Sequence, residues 1–132
     1  LRLRVGIDVV GVERLGRLIA GDDQRQERLF TARELAYCRP KRRCYEHLAA
    51  RFAAKEAVLK AFGTGISQRM RWTEVEVVNE RSGRPQIRLS GTVAAFARKR
   101  GLTDLDVSLS HTEGLALAQA VTVWESRALP PD

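Results

Sequence analysis

Leu3, Val5, Ile7 and Val9 alternate with Arg2, Arg4, Gly6 and Asp8 at the start of the chain. A period of two predicts a half-buried strand, with the apolar set turned inward and Asp8 on the opposite face. Residues 13–20 then take up helical spacing, with Leu15, Leu18 and Ile19 inward, Arg14 and Arg17 exposed, and Gly21 as the stop. Thr31-Ala32-Arg33-Glu34 is a capping box flanked by Phe30 and Leu35 at the positions of a hydrophobic staple, so a helix starts near Ala32 and stops at Pro40. From Glu46 to Phe62 the chain is alanine-rich and free of Gly and Pro. That stretch predicts the longest helix, closed by Gly63 at a left-handed cap.

In the second half, residues 74–79 and 86–89 alternate with Val75, Val77, Ile87 and Leu89 on one side, joined through Ser82-Gly83-Arg84-Pro85, the pattern of a β-hairpin. Ser90 stands where it can cap a helix running through Arg100 and ended by Gly101. Leu105, Val107 and Leu109 alternate with Asp104, Asp106 and Ser108 as a further strand. In residues 115–124, Leu-Ala-Leu-Ala-Gln-Ala suits a helix and Val121-Thr122-Val123-Trp124 suits a strand. A strand is expected, paired with 105–109 through a turn at Glu113-Gly114. No internal repeat is visible, which leaves one domain over 1–126 and a tail, 127–132, expected to fray.

Composition narrows the class without choosing a function. The 132 residues are 44% hydrophobic and 30% charged, as in a soluble globular domain. No run approaches the ~18 consecutive apolar residues of a membrane span. Leu1-Arg2-Leu3-Arg4 alternates where a secretory segment would be continuously apolar, so no membrane association and a cytoplasmic setting are expected. Cys38 and Cys44 with His47 supply three groups at a spacing unlike zinc sites and read as free thiols beside a histidine. The net charge is +7, and residues 1–60 carry 14 basic against 8 acidic side chains. The first half therefore faces an anion, for which a nucleic acid, a phosphorylated small molecule and an acidic protein qualify equally. Lys41-Arg42-Arg43 within it reads as a solvated loop ahead of a dedicated site.

On a helical wheel Glu56 borders the apolar stripe of Leu48, Phe52 and Leu59, with Lys60 close by on its other side. Glu followed by Lys at i+4 is a common surface pair worth only ~0.3–0.5 kcal/mol. A carboxylate at the edge of a buried face nonetheless needs a cation or metal, and Lys60 could be that cation. Lys55 lies on the flank and reads as structural. Taken singly, Asp8 suits a solvent-facing strand position, Ser110-His111-Thr112 a strand end, and Gly63-Thr64-Gly65 a helix cap. There is neither a P-loop nor a Ser-His-Asp spacing.

Together, Gly6-Ile7-Asp8 with Glu13-Arg14, the block Arg51-Phe52-Ala53-Ala54-Lys55-Glu56-Ala57-Val58-Leu59-Lys60-Ala61-Phe62-Gly63-Thr64-Gly65, and Ser110-His111-Thr112 closely resemble the holo-acyl-carrier-protein synthase group of the 4'-phosphopantetheinyl transferases. The order and spacing hold over about 120 residues. The resemblance implies an α+β fold in which a small antiparallel sheet packs with a long central helix. It implies transfer of the phosphopantetheine of coenzyme A to a serine of apo acyl carrier protein, releasing 3',5'-ADP. Asp8 and Glu56 are implied Mg²⁺ ligands, a pairing that suits an ion favouring one or two carboxylates plus phosphate oxygens and waters. Lys60 would reach the same diphosphate.

By the same resemblance, Arg51, Gly63, Gly65, Arg84, Pro85, His111 and Thr112 would contact coenzyme A. Arg14, Arg17, Arg25 and Arg28 would meet the acidic helix of the carrier, although Gln24 stands where relatives are often basic. A homotrimer with coenzyme A between protomers is implied, as are fatty acid or polyketide synthesis as the setting and no nucleic-acid partner. The general base stays open between Glu56 and a metal-bound water. Two competing readings are a small basic nucleic-acid-binding domain, which would lack the aromatic residues interleaved with charge in single-strand binders, and a coenzyme A-binding trimer without catalysis.

Overall fold

Thr31 caps its helix through Oγ1, which accepts from Glu34 N at 3.1 Å, while Glu34 Oε1 accepts from Thr31 N at 2.9 Å, the reciprocal pair of a capping box. In this computed structural model, which describes residues 1–67 and 69–125, that box starts one of five helices. The elements in order are β1 (Arg2–Gly11), α1 (Val12–Ile19), α2 (Asp23–Leu29), α3 (Ala32–Cys38), α4 (Cys44–Phe62), β2 (Val75–Asn79), β3 (Pro85–Leu89), α5 (Gly91–Lys99), β4 (Leu102–Thr112) and β5 (Leu115–Trp124). A short 3-10 turn, Trp72–Glu74, leads into β2.

β5 lies between β1 and β4 in an antiparallel sheet, and β2 pairs with β3 in a separate hairpin. The segment 115–124 is a strand, its turn at Glu113-Gly114 holding φ of 46° and 79°. α4 runs between two apolar clusters. One joins it to α5, β2, β4 and β5 through Val58, Phe62, Val75, Val93, Val107 and Trp124, and the other joins it to α1 and α3 through Leu15, Ile19, Phe30, Leu35 and Leu48. Gly63 ends α4 at φ 82°, a left-handed cap that glycine adopts without a Cβ penalty.

Several expectations are corrected. The apolar row of β1 faces away from this chain's core: Leu3, Val5, Ile7 and Val9 are 67%, 64%, 60% and 51% exposed, and it is Gly6 and Asp8 that turn toward α4. The alternation was legible, but the buried face is set by the closeness of α4, which only a residue without a side chain at position 6 allows. Leu18 is exposed, because α1 turns Leu15 and Ile19, one turn apart, onto α4 and leaves Leu18 at the rim. Ser90 makes no side-chain cap bond; Glu74 Oε2 accepts from Thr92 N at 3.0 Å in its place, and α5 ends at Lys99. α2, which has no apolar periodicity, is capped by Asp22 accepting from Arg25 N. The expected fraying of 127–132 lies outside the described residues.

Candidate active site

The site begins with Gly6. A Cβ built there would overlap Ala57 O and stand 2.7 Å from Ala61 N, so the missing side chain lets the backbone of α4 rest on β1. Two residues along the strand, Asp8 projects to the same face. Lys60 Nζ donates to Asp8 Oδ1 at 2.9 Å and to Ile7 O at 3.0 Å. An ammonium has three N–H groups, and the third meets no acceptor among the described residues. Lys60 thus pairs across to the strand, with its side chain half exposed, and is not merely a surface partner of Glu56.

Asp8 and Glu56 line one cleft of about 330 Å³, whose other walls include Arg14 and the apolar Val10, Leu18 and Phe52. Burial pushes the Glu56 carboxyl above its ordinary value, Asp8 adds to the push, and Lys60 opposes it. Two carboxylates delivered by different elements, one of them held partly against ionisation, form a place that favours an added cation. Sequence reasoning missed Arg14 and Phe52 as cleft residues. Phe52 carried a signal, since it lies four residues before Glu56 on the same helix face.

The sequence profile of the 4'-phosphopantetheinyl transferase superfamily matches residues 4–120. The chain belongs to that superfamily. The transferase is 42% identical over 120 residues to the holo-[acyl-carrier-protein] synthase of Trichlorobacter lovleyi, covering 90% of this chain and 95% of the other. It is 45% identical over 117 residues to the enzyme of that name from Geobacter sulfurreducens, covering 88% and 93%. Among solved structures, holo-[acyl-carrier-protein] synthase of Neisseria meningitidis superposes with a TM-score of 0.83 at 28% identity over 91% of this chain and 97% of the other. A Chronobacterium ammoniagenes synthase in complex with coenzyme A superposes with 0.83 at 29% identity over 95% and 99%.

The remaining expected site residues of the transferase fall elsewhere on the chain. Arg84 and Pro85 line a different cleft, of about 500 Å³, where Arg84 Nη2 lies 2.7 Å from Asp106 Oδ2. His111, at the end of β4, has Nδ1 3.4 Å from Glu46 Oε1 in the first turn of α4, and Thr112 beside it is exposed. Gly63 and Gly65 follow the last turn of α4, both at positive φ. Arg51 is almost fully buried: Nη2 donates to Asn79 Oδ1 and the guanidinium lies over the Tyr37 ring, 4.4 Å from its centroid, while Nε has no partner among the described residues.

Among the carrier-facing candidates, Arg17 pairs with Glu13 and Arg25 with Asp22, whereas Arg14 and Arg28 have no acidic partner among the described residues. Cys38 and Cys44 are free thiols, and burial raises Cys38 to about 11, which keeps it protonated and unreactive. Among the described residues no helix is long and apolar enough to cross a membrane.

Proposed function

We propose that this transferase moves the 4'-phosphopantetheine group of coenzyme A onto a serine of apo acyl carrier protein. The cleft that Asp8 and Glu56 line together, with Lys60 Nζ bonded to Asp8 beside it, carries the reading. The names of the relatives and the coenzyme A complex of a structural neighbour support it. The serine oxygen bonds to the β-phosphorus, the bond from that phosphorus to 3',5'-ADP breaks, and the hydroxyl proton passes to a base in the cleft. Such a transfer depends on positioning and charge stabilisation. Lys60, with one N–H that meets no acceptor among the described residues, suits the diphosphate oxygens on which charge grows.

Asp8 and Glu56 are the residues that would hold Mg²⁺. Their oxygens are the hard donors this ion prefers, and the strain against ionisation at Glu56 is what a cation relieves. When bound, the ion would neutralise diphosphate charge.

Arg14 and Arg28 suit an acidic surface of the carrier, which their charge would steer into place. The exposed row Leu3, Val5, Ile7 and Val9, continued by Leu115 and Val121 on β5, supports assembly with further copies, a homotrimer in this reading. Free thiols suit a cytoplasmic setting. The test is incubation with coenzyme A, Mg²⁺ and apo acyl carrier protein, weighing the carrier before and after. A carrier heavier by one phosphopantetheine is expected, and an unchanged mass overturns the proposal.

A further inference from the structure

Beside Glu56 in sequence, Lys55 is fully buried, as is Glu34 of α3. Lys55 Nζ donates to Glu34 Oε1 at 2.7 Å, to Val75 O at 2.6 Å and to Trp72 O at 3.0 Å, which uses all three of its N–H groups. Glu34 Oε1 also accepts from Thr31 N at 2.9 Å, and Oε2 accepts from Val77 N at 2.9 Å. The carboxylate that closes the α3 capping box therefore also holds the middle of α4 and the start of β2. Thr31 Oγ1 extends the network to Glu76 Oε2 at 2.6 Å.

α4 packs into both apolar clusters, and Gly6 sets its approach to β1. The helix buries residues on every side, and much of that surface is Ala49, Ala53, Ala54, Ala57 and Ala61. Alanines present a smooth face with little shape for neighbours to interlock with. A fully satisfied polar contact, by contrast, has one geometry, and displacing it strands a buried charge. Lys55 and Glu56 leave the helix on adjacent faces, so whatever holds the first sets the direction of the second.

We propose that Glu34 and Lys55 are positioning residues for the transfer reaction: their ion pair fixes the rotation of α4 about its axis and so aims Glu56 and Lys60 at Asp8. The role rests on the transfer activity proposed above. A purely structural pair would hold the chain together and leave each folded molecule fully active.

The test compares wild type, Glu34→Gln and the neutral double variant Glu34→Gln/Lys55→Met with coenzyme A, Mg²⁺ and apo acyl carrier protein, well below each melting temperature and per mole of folded protein. Positioning predicts that kcat in Glu34→Gln falls roughly 10- to 100-fold, the scale of a small misplacement at a reacting centre. The KM for carrier should stay within about twofold, because the arginines proposed to meet it lie outside the pair, and the KM for coenzyme A should rise by less than kcat falls, because Glu56 and Lys60 are turned and not removed. The double variant, relieved of the uncompensated charge, should regain stability but not kcat. Should Glu34→Gln fail to fold, Lys55→Arg keeps the charge on a bulkier head and is read for the same split. Variants as active per folded molecule as wild type, or a double variant whose kcat recovers with its stability, overturn the role. An inactive wild type would overturn the transfer reading itself.

Discussion

Lys60 Nζ and Asp8 Oδ1 lie 2.9 Å apart, fastening the last turn of α4 to the middle of β1. The two residues are far apart in sequence and meet because nothing stands between strand and helix at Gly6. Removing the ammonium should therefore affect chemistry more than folding. Lys60→Ala is expected to lower kcat roughly 10²-fold, the scale of losing one electrostatic stabiliser, with a smaller loss of coenzyme A affinity. Lys60→Arg should recover part of it, since a planar fork replaces a compact point charge. Single-turnover transfer at saturating coenzyme A and Mg²⁺ decides: a Lys60→Ala rate within threefold of wild type removes Lys60 from the site.

Gly6→Ala should be severe and Gly11→Ala mild. A methyl at position 6 overlaps the backbone of Ala57, whereas one at position 11 would meet only Arg14 Cβ at 3.6 Å, an ordinary contact. Gly6→Ala is thus expected to lower the melting temperature and abolish transfer, with Gly11→Ala close to wild type. Equal behaviour of the two variants in thermal unfolding would contradict the close approach described here.

Glu56 links function to stability with a definite sign. Its folded-state pKa is raised above the ordinary 4.5, so the folded chain holds that proton more tightly than the unfolded chain does. The resulting stability is present below pH 4.5 and is lost as pH rises through the raised value. Glu56→Gln, always neutral, should be more stable than wild type at neutral pH without Mg²⁺, with the gap closing as pH falls toward 4.5. It should transfer nothing. Denaturant midpoints across pH test this, and a wild type more stable than Glu56→Gln at neutral pH contradicts it. Mg²⁺ should raise the melting temperature of wild type and leave Asp8→Asn unmoved if, as proposed, Asp8 and Glu56 hold the ion together.

Arg28, exposed and without an acidic partner among the described residues, tests the proposed carrier surface apart from the cleft that Arg14 also lines. Arg28→Glu should raise the KM for carrier, by less at high salt, with coenzyme A binding unchanged. Titration of coenzyme A by calorimetry is the control. A loss of coenzyme A affinity in this variant would mean that Arg28 serves the nucleotide.

The legible parts of the fold are those coded by near neighbours. The Thr31–Glu34 box, the Gly63 cap and the 75–89 hairpin each depend on residues a few positions apart, and each appears as expected. Glu34 and Lys55 show the limit. Glu34 reads as a cap and Lys55 as a structural lysine on the flank of a helix. Nothing local announces that the two meet in the core, because that contact depends on how α3 and α4 cross. The inverted face of β1 has a similar origin, since periodicity gives the two sides of a strand but not which one its own chain covers. In the candidate site, the resemblance named Asp8, Glu56 and Lys60, which the fold brings together. It also placed Arg51 among phosphate contacts; the fold holds its Nη2 on Asn79 and its guanidinium over Tyr37, contacts between helix and hairpin that the sequence alone does not reveal.

The outward apolar row of β1 separates two kinds of mutational tolerance. Because Leu3, Val5, Ile7 and Val9 contribute little to the core of their own chain, polar replacements such as Ile7→Glu should pass a screen that scores only whether the chain folds and resists proteolysis. If copies assemble through that row, the same replacements should fail a screen for carrier modification, and wild-type specific activity should drop on dilution. At Gly6 and Ala57, by contrast, both screens should reject the same changes. Alternate positions along one ten-residue strand would then answer to different selections, one acting on the single chain and the other on its encounters.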